Sequence, residues 1–164
     1  MTVGTMIGSV GRGLAAGMVG TAAITASMAL ERKLRGEPEN TMAADAAEEV
    51  LHIEPEGKQG KLRLARSVHW IYGTAWGGAR GLLGALGLRG PAGDAAHFAA
   101  VSGTAMVMPP ALGVAPPPQD QPPAAMASSA VHHLIYALAT GATYRALERS
   151  ARPARRGLRA RLAT

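Results

Sequence analysis

The sequence predicts an all-α fold: a polytopic membrane bundle of about four hydrophobic helices, with a short amphipathic helix in the first loop. Three observations carry that expectation. Only 17% of the 164 residues are charged, against roughly 25% in soluble domains. The charges are also segregated. Glu31 to Ser67 holds eight acids and seven bases, seven arginines crowd between Arg145 and Arg161, and outside these stretches the ionisable residues other than histidine reduce to Arg12, Arg80, Arg89, Asp94 and Asp120. Such partition is what a hydrocarbon solvent imposes. Finally, 34 alanines and 21 glycines accompany one phenylalanine and two tryptophans, too few large side chains for an ordinary soluble core. The absence of cysteine excludes disulfides, thiolate metal sites and thiol catalysis.

The first span covers about 3–30. Gly13 to Leu30 has eighteen residues without a charge, and the run extends back across Arg12 to Val3. A hydrocarbon core of about 30 Å needs ~20 helical residues, and Arg12 can snorkel to the boundary. A cleaved leader fits poorly, because no basic stretch precedes the run and glycines dilute it. In the polar loop, 31–67, Thr41 caps a short helix whose Met42, Ala46 and Val50 share a face beside Ala43, Ala47 and Leu51. That stripe is expected to cover the bundle end.

The second span, about 68–88, opens with Trp70, Tyr72 and Trp76, aromatics suited to a membrane interface. Gly73, Gly77 and Gly81 follow at spacings of four, a helix-packing face that admits a close backbone in the same chain or in a homo-oligomer. The third, about 94–114, meets Pro109-Pro110 after fifteen residues, which predicts a broken or re-entrant helix. A proline-rich connector leads to the fourth span, about 124–147. These four form a single domain, 1–147, and an Arg-rich tail, 148–164, follows, with Pro153 expected to interrupt any helix there.

The positive-inside rule places the tail in the cytoplasm whether three or four segments cross. Lipid is the expected partner: the bilayer around the spans, and anionic headgroups for Arg149, Arg152, Arg155, Arg156, Arg159 and Arg161. Nucleic acid fits the tail less well, since base stacking needs aromatic interleaving. No catalytic residues and no metal set declare themselves.

Histidine supplies the titratable candidates for proton or ligand handling. His69, His97, His132 and His133 all lie in hydrophobic segments, where imidazoles need partners. Counting rise from the segment starts puts His69 about 2 Å from one boundary, His132 and His133 about 12 Å in from that side, and His97 about 5 Å from the other. On that count no two on different helices come level, which strains a haem or metal site, the alternative use of these residues. The intramembrane charges Arg80 and Asp94 flank a short turn and are expected to pair along the helix axis.

The runs HWIYGTAWGGARGLLG and HHLIYALATGATYRAL, with the order of the segments, resemble the YagU-like family of small bacterial inner-membrane proteins. That resemblance implies an integral inner-membrane protein of unassigned biochemistry with a link to acid tolerance, and offers no active site to carry over. The expected function is a structural or stress-related membrane role without a defined reaction. Two alternatives stand beside it: a haem- or metal-binding bundle, and a soluble helical protein with a nucleic-acid-binding basic tail.

Overall fold

The computed structural model describes residues 2–162, with side chains to residue 151. Among these residues there are five α-helices and no strand: α1 (Val3–Arg35), α2 (Met42–Leu51), α3 (Gly57–Ala85), α4 (Gly90–Ala111) and α5 (Pro123–Leu162). The four long helices run alternately up and down. Thr21 borders Gly73 and Gly13 borders Gly81, so α3 descends beside α1. Asp94 meets Arg80 while Met108 meets Tyr72, so α4 climbs back beside α3. Ser128 meets Glu31 at one end and Arg89 meets Glu148 at the other, so α5 descends again.

Each long helix follows from its residues. Thr2 caps α1 by accepting from the Thr5 amide, and Gly36, at φ 67°, ends it in the left-handed turn that glycine adopts without strain. Small residues then let α1 and α3 touch along their backbones. A Cβ added at Gly77 would strike the Gly13 carbonyl and the Gly17 backbone, one at Gly81 the Ser9 carbonyl, and one at Gly73 the Thr21 side chain. The glycine stripe Gly73, Gly77 and Gly81 therefore packs inside the chain, against α1.

Four expectations need correction. The polar loop is shorter than 31–67, because α1 runs on to Arg35 and α3 begins at Gly57; Gln59, Lys61, Leu62 and Arg63 are good helix formers that carry α3 beyond its apolar stretch. The third hydrophobic segment is one unbroken helix. Pro109 and Pro110 fall in the last turn of α4, where few amide bonds remain to be lost, and Gly113, at φ 71°, closes the turn as Val114 donates to the Pro109 carbonyl. The backbone of α5 continues as helix through Pro153 to Leu162, so the arginine-rich stretch prolongs the fourth long helix. The side chains of Arg152, Arg155, Arg156, Arg159 and Arg161 lie outside the described residues; Arg149 is exposed.

The fourth correction concerns α2. Ala44 and Ala47 are its buried residues, while Met42, Val50 and Leu51 stay exposed. Charge turns the helix this way: Lys61 on α3 reaches both Asp45 (2.6 Å) and Glu48 (3.1 Å), and these acids bring the alanine face inward. The Thr41 hydroxyl donates to the Asp45 carboxylate instead of capping the backbone, and the Asn40 side chain accepts from the Met42 amide in its place.

By length and composition, α1 alone among the described helices is apolar enough to cross a membrane. The others carry Arg80, Asp94 and the four segment histidines.

Candidate polar column in the bundle

At the lower end of the bundle, where the chain's N-terminus lies, Asp94 gathers two arginines. Its Oδ1 accepts from Arg80 Nε at 3.0 Å and lies 2.9 Å from Nη2, and its Oδ2 pairs with Arg145. Arg80 is completely buried, its guanidinium 4.6 Å from the centre of the Tyr144 ring, a cation–π contact. The axial pairing of Arg80 with Asp94 is thus present, with Arg145 as a third member. An isolated guanidinium in such a place would cost several kcal/mol, so Asp94 is what makes the buried arginine tolerable.

Midway, His97 is completely buried between Trp76 and Tyr136, with ring centroids 6.4 Å and 5.6 Å away. Its Nε2 lies 3.0 Å from the Trp76 carbonyl oxygen. A carbonyl only accepts, so Nε2 carries the hydrogen and, in the neutral ring, Nδ1 is a bare lone pair. Among the described residues no protein group hydrogen-bonds that Nδ1. Tyr136 donates to the Gly73 carbonyl at 2.6 Å.

At the upper end, Glu31 is the hub. Both of its oxygens accept from Ser128 (2.5 and 2.6 Å), Oε2 also lies 2.5 Å from His132 Nε2, and Oε1 pairs with Arg35 at 2.7 Å. With Nε2–H committed to the carboxylate, His132 Nδ1 accepts from the Ser27 hydroxyl at 2.9 Å. Thr25 already donates to the Thr21 carbonyl, so His69 Nε2 is the donor in its 3.0 Å contact with the Thr25 oxygen. His133 Nδ1 donates to the Ser129 carbonyl at 2.8 Å.

The structure brings His69 and His132 to neighbouring levels of α1, Thr25 and Ser27, which corrects the depths counted from segment starts. α3 begins eleven residues before its apolar stretch while α5 begins one residue before its own, so the two apolar starts do not lie at one level. His97 stands apart, closer to Arg80. Among the described residues no three of His, Asp and Glu gather as a metal-ion cluster.

Ser27, His132 and Glu31 are connected as Ser–His–Glu, yet Ser27 lies deep within α1, where backbone amides are already committed to the helix. An acyl-transfer centre needs free donors aimed at a developing oxyanion, and this setting supplies none from the helix that carries the serine. The arrangement suits proton exchange between fixed groups. Outside the bundle, the bond from Arg66 holds the Glu39 carboxyl below its usual pKa, and Asp45, then Glu48, raise that of Lys61.

Sequence reasoning missed Ser27, Glu31, Ser128, Thr25 and Tyr136 as members of these groups. Their signal was present: Ser27 with Glu31, and Ser128 with His132, are i,i+4 pairs on two helices that run antiparallel. No family model, curated protein or solved structure matches the chain.

Proposed function

We propose that this chain is a small multi-pass protein of a bacterial inner membrane, non-enzymatic, with a structural or stress-related role. The observation that carries the reading is an inverted distribution of polarity. Ile71 on α3 is 70% exposed and Val107 on α4 67%, and Leu14 and Met18 on α1 and Leu134 and Leu138 on α5 are exposed too. The largest fully buried side chains are Arg80, Tyr144, His97, Thr21 and Thr140. In water that exterior would be a large apolar patch and that interior a poor core. In lipid each belongs where it stands, because tails solvate Leu and Val while polar groups find one another inside.

Length supports four crossings. At 22 residues α4, the shortest of the four, measures about 33 Å. Up-and-down order then puts the N-terminus, the α3–α4 turn and the arginine-rich end of α5 on one side, with Arg12, Arg89 and Arg149, and the positive-inside rule makes that side cytoplasmic. The YagU-like resemblance adds an inner-membrane setting and a link to acid tolerance.

The test is alkaline carbonate extraction of membranes from cells expressing the full chain, followed by labelling of single cysteines with an impermeant maleimide. The chain is cysteine-free, so each introduced thiol is unique. Retention in the pellet, with Lys58→Cys and Asp120→Cys labelled from outside and Gly4→Cys shielded, is expected. Release into the supernatant would contradict the reading.

A further inference from the structure

We propose that the buried polar groups form a path for protons through the bundle, from Glu31 at one mouth to Asp94 at the other. The inference rests on the membrane reading above and assigns that bundle a transported species, the proton.

Two features of the interior point this way. First, polar groups recur along the axis instead of collecting at one level. Glu31, His132 and Ser27 mark the top, then Thr25 with His69, then Thr21; Tyr136 and Thr140 both border Gly20, His97 touches the Tyr136 ring, and Arg80 with Asp94 closes the bottom. From Ser9, which borders Gly81, to Glu31 is 22 residues of α1, or about 33 Å, the thickness of a hydrocarbon core. Second, some of these groups are buried without a hydrogen-bond partner among the described residues: His97 Nδ1, Arg80 Nη1 and Tyr144 Oη. Polar atoms in such surroundings bind ordered water, and water between fixed hydroxyls and imidazoles is the medium through which protons hop.

His97 is the central station. Its Nε2–H is held by the Trp76 carbonyl, so Nδ1 both takes up and releases the proton, and the ring does not need to turn. Each hop breaks one N–H or O–H bond as the next forms. The net result of a passage is one proton removed from the first side and one delivered to the second. Around the lower mouth stand Arg80, Arg145, Asp94, Arg89 and Glu148, with Arg89 near Glu148 at 3.7 Å. Two guanidiniums on Asp94 leave one net positive charge there, which repels an approaching proton and makes the path slow.

The test uses the purified full chain in phosphatidylcholine/phosphatidylglycerol vesicles containing a trapped pH dye, with a potassium diffusion potential set by valinomycin. Flotation first establishes incorporation. Incorporated wild-type protein is expected to pass protons severalfold faster than protein-free vesicles. His97→Phe should return the rate to the protein-free value, and Tyr136→Phe, which keeps the ring and loses only the hydroxyl, should lower it. Arg145→Gln, at a partly exposed position, should raise it by removing the surplus charge. An incorporated wild type no faster than empty vesicles, or folded His97→Phe and Tyr136→Phe proteins as fast as wild type, would overturn the proposal. Failure of the chain to enter vesicles would overturn the membrane reading and the path together.

Discussion

The seam between α1 and α3 and the seam that holds α4 to its neighbours solve one packing problem by opposite means. Along α1–α3, glycine meets glycine: Gly13 and Gly17 against Gly77 and Gly81, so that backbones touch and dispersion forces act at short range. Along α4 the ties are polar, Asp94 to Arg80 and Arg145, His97 to the Trp76 carbonyl, and Met108 accepting from Tyr72 at 3.8 Å. The first seam tolerates no added atom. The second tolerates no lost partner. Where helices come close enough, shape does most of the fixing, and the Thr25–His69 contact adds to it; where side chains keep them apart, buried charge sets the register and costs stability if a partner is removed.

Removing one member of the polar seam should have the largest effect. Asp94→Ala leaves Arg80 buried without its carboxylate and is expected to cost about 3–5 kcal/mol in reversible denaturation from mixed micelles. The double variant Asp94→Ala, Arg80→Met should recover most of that loss, because it buries no orphaned charge. If the double variant is as unstable as the single one, the charge pair is not what fixes α4.

In the glycine seam, Gly77→Ala places a methyl group against the backbone of α1 and should cost about 1–3 kcal/mol. Gly103→Ala on α4, whose new Cβ would meet nothing within 4 Å, should leave stability unchanged or raise it by up to about 1 kcal/mol, because alanine is the better helix former. Equal effects at the two sites would erase the distinction between the seams.

The glycine seam and the Arg80–Asp94 pair were legible in the sequence because both rest on local rules: residues four apart share a helix face, and a short turn brings its flanking charges together. The level of the histidines was not. It depends on where α3 starts, and the polar residues Gly57 to Arg66 carry no apolar signal although they are helical. Nor was the intactness of α4 legible, since a proline pair reads as a break until the glycine-closed turn after it is seen to place it at a helix end. The Glu31 hub joins residues about a hundred positions apart, so only the antiparallel pairing of α1 with α5 makes it visible.

A smaller effect belongs to the polar cap, which neither seam governs. Arg66 bonds Glu39 at 2.7 and 2.6 Å and lowers its pKa. A carboxyl depressed in the folded state contributes stability that is present above its unfolded value of about 4.5 and is lost as pH falls through the lower folded value. Protection of the 36–42 amides from exchange should therefore hold from neutral pH down to that range and fall below it. Glu39→Gln should show the weaker protection at every pH, and the loss should be small because Arg66 is largely exposed.

The membrane reading proposed above assigns the exposed apolar side chains of α3, α4 and α5 to lipid, although among the described helices α1 alone is apolar enough to cross by composition. Spin labels at Ile71→Cys, Val107→Cys and Leu138→Cys in reconstituted vesicles test it most directly, through relaxation by oxygen, which concentrates in lipid, and by a water-soluble nickel chelate. High oxygen and low nickel accessibility are expected at all three. Nickel accessibility matching that of a label at Lys58→Cys would place those helices in water and contradict it.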